Sequence, residues 1–247
     1  MKASLLLRCW GALCLLGLSG PGWAAPAIVK VGAYSFPPYL EGTQGVTPRF
    51  LALLNSHQDR WRFVLVRTSA RRRYIELDAG VFDMMAFENP QWSWNASKIR
   101  IGRPLLRDAE LSIARSAPGR DQSFFASAHT RVAVFGFHYG FSGQRALTGG
   151  GPELYFVAKP ALVLEQVLSG KSAQGITTKS YLGRLLAADP ALASRLIVGE
   201  KKDCEYTLGP LFSPRSPISP DEFDQLIAHL SGQWKDFVAA EGLSPAN

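Results

Sequence analysis

The chain has 247 residues, of which 47% are hydrophobic and 19% charged, and its formal net charge at pH 7 is +7. This composition is ordinary for a globular protein and excludes a low-complexity chain. The length allows one large domain or two smaller lobes. A net positive charge does not by itself indicate a nucleic-acid partner, and we expect none.

Residues 1–24 have the pattern of a secretory signal peptide. Lys2 and Arg8 give a basic start, residues 9–18 form a short apolar segment, and small residues precede a cleavage site after Ala24. An uncleaved anchor is the alternative. Beyond this segment, no apolar run is long enough to span a bilayer.

The cysteine content excludes a disulfide framework in the secreted chain. Cys9 and Cys14 would leave with the signal peptide, so that Cys204 would have no intramolecular partner. We interpret Cys204 as a structural or incidental thiol. The sequence has no spacing typical of metal ligands, and we expect no cofactor.

Strands and helices alternate at the start of the secreted chain. Residues 28–33 and 61–67 are predicted strands, the second with apolar residues at alternate positions. A helix is predicted to begin with Thr47 as N-cap and Pro48 as its first residue. A second helix is predicted over residues 69–79.

Three consecutive arginines, at positions 71–73, lie in this second helix. Tyr74 and Leu77 are predicted to face inward, so we interpret the arginines as a solvated helix face. A docking patch for an acidic partner or a membrane surface is the alternative.

The central stretch, residues 77–114, contains the main candidate site. Gly80 suits a helix end, where a left-handed conformation is needed. Residues 81–87 form an almost unbroken apolar run, which fits a strand covered on both faces. Ligands in open α/β sheets bind beyond the carboxyl ends of strands. The loop that follows supplies the candidate ligand-binding residues Glu88, Asn89, Trp92, Trp94 and Asn95.

The second half of the chain predicts a lobe that is entered and left by two crossings. Residues 109–116 are a predicted strand entering it, and residues 206–212 a predicted strand returning. Between them we predict strands at 131–135, 155–157, 175–178 and 196–198, helices at 160–168 and 180–188, and a flexible loop at 148–152. Two crossings make the second lobe an insertion in the first, with an interlobe cleft that closes by hinge motion.

The chain is predicted to end in one amphipathic helix. Ser219 and Glu222 form a capping box with Pro220 as the first helical residue. The apolar stripe over residues 223–238 predicts packing on the first lobe.

This ordered set of features resembles periplasmic solute-binding protein family 3, the amino-acid-type receptors of ABC importers. The resemblance lies in the opening strand with its aromatic turn Tyr34-Ser35-Phe36-Pro37-Pro38-Tyr39, and in the central stretch. It implies an α/β, two-lobed periplasmic-binding-protein-like (type II) fold with an interlobe ligand cleft. Lobe one would be residues 25–113 plus 206–247, and the inserted lobe two residues 114–205.

Further candidate residues come from three segments. Tyr34 and Phe36, in the aromatic turn, belong either to the cleft wall or to the core. Residues 136–142 combine glycines, aromatics and a predicted helix start, where backbone N–H groups can hold an anionic or polar group. Phe137, His138 and Tyr139 are its candidates, and simple packing is the alternative.

Alignment with the family suggests that both charged clamps for an amino acid are missing. Asn95 stands where the family has the Arg that holds the α-carboxylate, and Thr178 where it has the Asp that binds the ammonium. A buried charge needs a partner, so a free amino acid is a poorer fit. Trp92 and Trp94 favour an aromatic, heterocyclic or sugar-like ligand, and Glu88 beside them favours a cation.

We therefore expect a monomeric periplasmic substrate-binding protein that captures a small polar or aromatic solute for an ABC permease and is not an enzyme. One alternative is a periplasmic ligand sensor for a membrane signalling protein. The other is a dehydratase-like enzyme on the same fold, for which Glu88 and His138, from opposite lobes, are the candidate acid–base pair.

Overall fold

The computed structural model describes residues 25–126, 130–140 and 153–246. The predicted signal peptide, the last two residues of the segment 136–142 and the predicted loop 148–152 lie outside these ranges. Within the described ranges, no helix has both the length and the apolar character needed to cross a membrane.

The described strands form one continuous hydrogen-bonded system. They are β1 (Ala27–Ala33), β2 (Trp61–Arg67), β3 (Met84–Glu88), β4 (Arg100–Ile101), β5 (Leu106–Arg115), β6 (Arg131–Val134), β7 (Leu154–Val157), β8 (Gln174–Thr178), β9 (Leu196–Phe212) and β10 (Ser244–Pro245). Their order is β2-β1-β3-β9-β5-β8-β6-β7, with β4 on β9 and β10 on β5. We call the part around β1–β3 lobe one and the part around β6–β8 lobe two.

Helices cover these strands. The described α-helices are Val46–Ser56, Arg73–Asp78, Pro160–Leu168, Lys179–Ala188, Leu192–Arg195, Pro220–His229 and Ser231–Ala240. Short 3-10 helices span Ala96–Lys98 and Gln122–Ala126.

Lobe one has the larger core because its central strands are covered on both faces. β1 pairs in parallel with β2 and β3. Val29 and Val31 of β1 are fully buried, as are Phe50 and Leu54 of helix Val46–Ser56. Lobe two has a smaller core, built from its parallel strands and helix Pro160–Leu168.

The first helix begins differently from the prediction. Its N-cap is Gly45, not Thr47, and Thr47 is a buried residue inside the helix. Gly45 has φ +132°, and a Cβ there would lie 2.5 Å from the carbonyl oxygen of Tyr39. The tight turn therefore requires glycine, and the helix starts two residues earlier than predicted.

The second helix is shorter than predicted, spanning Arg73–Asp78. The side chain of Ser69 accepts a hydrogen bond from the Arg72 N–H, so a serine turn precedes the helix. Gly80 has φ +75°, which confirms the predicted left-handed conformation at the helix end.

Two long antiparallel strands connect the lobes. β5 and β9 pair from Leu106 opposite Leu208 to Arg115 opposite Leu196, with register shifts around Glu110 and Leu111. The predicted strands 196–198 and 206–212 are the two ends of β9. Its middle was missed because residues 199–205 are polar and lack apolar alternation. β9 also pairs with β3 of lobe one, and β5 with β8 of lobe two.

The predicted final helix is two helices, Pro220–His229 and Ser231–Ala240. The capping box of Ser219 and Glu222 is confirmed. Leu230 breaks the helix at φ −90° and ψ 21°, yet it is buried. Ser231 and Gly232, both weaker helix formers than alanine, follow the break.

Candidate functional site

A buried ion pair in lobe one joins the second helix to the end of β3. The Nε atom of Arg73 lies 3.4 Å from Oε2 of Glu88, with side chains 1% and 0% exposed. Trp94 donates a hydrogen bond from Nε1 to the same Glu88 oxygen at 2.9 Å. The interpretation of Arg73 as part of a solvated helix face is therefore wrong.

Aromatic rings and oxygen atoms surround the Arg73 guanidinium. Its Cζ lies 4.6 Å from the ring centre of Tyr34 and 4.5 Å from that of Tyr74. Its Nη atoms donate to the carbonyl oxygen of Ala70 and to the Tyr74 hydroxyl, each at 2.7 Å. A signal was present in the sequence: Arg73 and Leu77 are four residues apart, so they share one helix face, and Leu77 was predicted to face inward.

Burial raises the pKa of Glu88, because an apolar surrounding disfavours its charged form. The charge of Arg73 and the hydrogen bond from Trp94 act in the opposite direction. The carboxylate therefore has its own partners inside lobe one.

Aromatic side chains of both lobes meet across the cleft. The Phe137 ring, from the segment after β6, lies edge-on to Phe36 at 5.1 Å and to Tyr34 at 6.3 Å. His138 stacks on Trp92 with ring centres 5.9 Å apart, and its Nε2 is 3.1 Å from Oγ of Ser93. The structure thus brings together five predicted residues from opposite lobes.

Two small cavities lie along this contact, and both are lined by Glu110 and Phe137. The first is lined by Tyr34, Phe36, Arg73, Trp92, Glu110, Phe137 and His138. The second is lined by Pro37, Glu110, Val134, Phe137, Tyr139, Pro160, Ile176, Thr177, Thr178 and Tyr181. Each has a free volume of about 10 Å³, which is room for one water molecule. The cleft is therefore closed and filled by its own side chains.

Glu110 was not predicted as a site residue. It lies in β5, where its side chain is almost fully buried, and it accepts a hydrogen bond from the Tyr206 hydroxyl at 3.2 Å. Burial raises the pKa of Glu110 well above its ordinary value, and the nearby carboxylates of Asp108 and Asp203 raise it further. The available signal was a single charged residue inside the mainly apolar stretch 109–114.

Asp108, two residues earlier, is held differently. Its carboxylate accepts hydrogen bonds from the backbone N–H and hydroxyl of Ser180 and from the Ala109 N–H. Burial raises its pKa, and these hydrogen bonds act in the opposite direction. Asp108 therefore fixes the start of helix Lys179–Ala188 against β5.

Two predicted amides serve the loop and line neither cavity. Asn89 is buried and donates from Nδ2 to the carbonyl oxygen of Thr207, while its Oδ1 accepts from the Gln91 N–H. Asn95 is exposed and caps the 3-10 helix Ala96–Lys98. Their side-chain oxygens are used by the backbone, so neither amide faces the cleft contact.

Two predicted residues of lobe two line the second cavity. Thr178 caps helix Lys179–Ala188 by accepting from the Tyr181 N–H. The Tyr139 hydroxyl accepts from the Val134 N–H and donates to the Val134 carbonyl. Both polar groups are thus engaged within lobe two.

The proposed acid–base pair of Glu88 and His138 is not assembled. Glu88 is bound by Arg73 and Trp94, whereas His138 contacts Ser93 and Trp92. The described residues also include no cluster of three His, Cys, Asp or Glu side chains that could hold a metal ion.

Comparison with solved structures establishes the fold. The ligand-binding core of GluR0 in complex with L-glutamate aligns with a TM-score of 0.67 at 12% identity, over 89% of this chain and 99% of that one. The chain has the two-lobed periplasmic-binding-protein fold. The fold that the sequence resemblance implied is therefore confirmed, and β5 and β9 are the connections between its lobes.

Two further structures share this periplasmic-binding-protein fold. The ancestral amino-acid-binding protein AncCDT-1, a precursor of cyclohexadienyl dehydratase, gives a TM-score of 0.66 at 14% identity, over 87% of this chain and 95% of that one. The substrate-binding protein of an amino acid ABC transporter gives 0.63 at 12%, over 86% and 97%. No family model and no curated protein matches the sequence.

Proposed function

We propose that this protein is a solute-binding protein that captures a small molecule between its lobes by hinge closure. The observation that carries the proposal is the pair of interlobe cavities separated by Phe137. They lie where the aromatic turn of lobe one meets the segment after β6 of lobe two. A cleft at a lobe interface is the usual place for a small-molecule site.

The names of the similar structures support the same class of function. They describe an L-glutamate complex, an ancestral amino-acid-binding protein and the substrate-binding protein of an amino acid ABC transporter. We propose a periplasmic location after signal cleavage, a monomer, and an ABC permease as partner. A membrane signalling protein is the alternative partner: a neighbouring permease gene would favour import, and a neighbouring sensor kinase or cyclase gene would favour signalling.

An enzyme on this fold is the weaker proposal. One similar structure is described as a precursor of a dehydratase. General acid–base catalysis needs groups within reach of a shared substrate. Glu88 is already bound by Arg73 and Trp94, and it lines neither cavity, whereas His138 lines the first. The two groups therefore share no cavity, and the arrangement favours binding over turnover.

Solute binding requires Phe137 to leave its present position, because each cavity has room for only one water molecule. The ring is carried by residues 137–139, which have no regular secondary structure and follow Gly136 at φ +82°. Opening of the lobes would withdraw the ring from Tyr34 and Phe36. Closure on a solute would then replace ring contacts with ligand contacts.

The test is a thermal-shift screen of wild type and of Phe137→Ala with amino acids, amines, aromatic acids, nucleobases and sugars. A solute at about 100 times its dissociation constant adds about 2.7 kcal/mol of stability. We expect shifts that are larger for Phe137→Ala. Phe135→Ala is the matched control, because Phe135 lies two residues away and is 49% exposed. Absence of any shift in all three proteins would contradict solute binding.

A further inference from the structure

Glu110 and Phe137 together stand at the boundary between the two cavities. They are the two residues that line both. If the Phe137 ring is withdrawn, the two spaces become one, which runs from Tyr34 and Arg73 in lobe one to Tyr181 in lobe two. Glu110, on the connecting strand β5, then lines both parts of that space.

The groups that act on Glu110 leave its charge unbalanced in the described part of the chain. From its own strand it faces Asp108, and from β9 it faces Asp203 and the Tyr206 hydroxyl. The charge of Glu110 also raises the pKa of Tyr139 and of Cys204. These are acids or neutral hydrogen-bonding groups, so the charged neighbours among them repel a second negative charge.

The cationic side chains of Arg73 and Arg131 are each paired with a carboxylate other than that of Glu110. Arg73 lines the first cavity but is paired with Glu88, so these two charges cancel. Arg131 of β6 lies 3.8 Å from Asp203. With Glu110 ionised, the merged cavity would therefore carry a net negative charge centred on this residue.

The walls around this carboxylate are aromatic. Tyr34, Phe36 and Trp92 line the first cavity and Tyr139 the second. Trp92 also lies edge-on to Tyr206, with ring centres 5.1 Å apart. The hydroxyl of this tyrosine is the hydrogen-bond donor to Glu110. A cation is attracted both by a carboxylate and by ring faces, whereas an anion is disfavoured by both.

We propose that Glu110 is the ligand-recognition group of the cleft and that it selects a small organic cation, an amine or quaternary ammonium. The positive group would lie beside Glu110 in the space now filled by the Phe137 ring. This inference rests on the proposed solute-binding function. Where Glu110 is protonated before binding, its O–H bond breaks and the proton passes to solvent as the cation enters.

The experiment is calorimetric titration of the purified protein with matched charged and neutral probes. The pairs are choline with its uncharged tert-butyl analogue, and putrescine with butanediol. We expect a cation of at least one pair to bind about 10-fold or more tightly than its neutral counterpart. Phe137→Ala should bind it more tightly than wild type, because the ring no longer competes for the space.

Glu110→Gln tests the carboxylate itself, because glutamine keeps the shape and can still accept from Tyr206. Cation affinity should fall about 30-fold or more, as for loss of one partner of a buried charge pair, while the neutral analogues bind as before. Glu205→Gln is the control, since Glu205 is exposed on the neighbouring strand β9. Cation binding to wild type at mildly acidic pH should also release a proton, measured in buffers of different ionisation enthalpy.

The outcomes separate this inference from the proposed function. Equal binding of cation and neutral analogue, or unchanged cation affinity in Glu110→Gln, overturns the role of Glu110 while solute binding stands. If neither cations, neutral solutes nor anions bind wild type or Phe137→Ala, both proposals fail. Phe137→Leu provides a second opened variant if the alanine protein does not fold.

Discussion

Two buried glutamates in this protein have opposite surroundings. Glu88, at the end of β3, is 0% exposed and has Arg73 at 3.4 Å and the Trp94 N–H at 2.9 Å. Glu110, on β5, is 3% exposed and has the Tyr206 hydroxyl at 3.2 Å, with two further carboxylates nearby. The charge of Glu88 is balanced by Arg73 within its own lobe, although Oε1 of Glu88 has no hydrogen-bond partner among the described residues. The groups described around Glu110 include no cation that balances its charge.

The difference indicates which of them is structural. A buried charge is tolerated when it is paired and hydrogen-bonded, and breaking such a pair is strongly destabilising. Glu88 meets that condition, so it holds the second helix against lobe one. A strongly perturbed, incompletely paired carboxylate in a cleft is instead a candidate functional group.

The largest expected effect comes from removing the partner of Glu88. Arg73→Ala leaves a fully buried carboxylate without its countercharge and should reduce the free energy of unfolding by about 3–5 kcal/mol. Chemical denaturation measures this. The neighbouring Arg72 is the matched control: its side chain is 74% exposed and pairs with Glu76, so Arg72→Ala should cost less than about 1 kcal/mol. Equal losses would show that Arg73 is an ordinary surface arginine.

The next largest effect is a change in stability that has opposite signs when each of the two glutamates is replaced by glutamine. Glu88→Gln leaves Arg73 buried without its partner charge and should destabilise the protein at neutral pH. Glu110→Gln should instead stabilise the ligand-free protein, because it removes a carboxyl group whose ionisation is disfavoured by burial and by two carboxylates. Urea denaturation of both variants beside wild type is the measurement, and destabilisation by both would remove the distinction.

The same comparison predicts a pH dependence. The pKa of Glu110 is raised in the folded state, so the folded protein holds a proton that the unfolded chain has lost. Stability from this group is complete below the ordinary carboxyl pKa of 4.5 and falls as the pH rises through the raised pKa. The slope is at most about 1.4 kcal/mol per pH unit. In Glu110→Gln, this part of the slope should disappear.

The smallest effect concerns the contact between the lobes. The pKa of His138 is lowered by burial and by the charge of Arg73, and its buried Nδ1 has no hydrogen-bond partner among the described residues. The unfolded chain therefore takes up a proton first, and stability falls as the pH drops below 6.5. We expect a loss below about 1 kcal/mol. A His138→Gln protein that kept the same loss would contradict this assignment.

Local sequence patterns predicted the regular parts of the fold. Strand Trp61–Arg67 and helix Pro160–Leu168 have the predicted bounds, because apolar alternation in one and a proline start in the other are local signals. The middle of β9 was missed because its pairing with β5 overrides an unpatterned polar sequence. The break at Leu230 was missed because the buried leucine continues the apolar stripe.

The site was harder to predict because its key pairings are distant in sequence. The aromatic residues Tyr34, Phe36, Trp92 and Phe137 could be proposed from strand ends and turns. The partners of Glu110 could not, since Tyr206 lies 96 residues away. Arg73 was obscured by the two arginines before it, because a run of like charges indicates a solvated surface. The pairing register of β5 and β9 sets the partners of Glu110, and the position of Arg73 around its helix sets the burial of this arginine.

The pairing of β5 with β9 also places a chemical reporter at the hinge. Cys204 lies directly opposite Glu110 in the register of the two strands. A Cβ added at Gly140 would lie 2.5 Å from the Cβ of Cys204, so Gly140 packs closely against this cysteine. Burial raises the pKa of the Cys204 thiol to about 11, so the closed protein reacts slowly with alkylating reagents. Lobe opening would hydrate the thiol and speed the reaction. The alkylation rate of one native cysteine would then time how often the cleft opens.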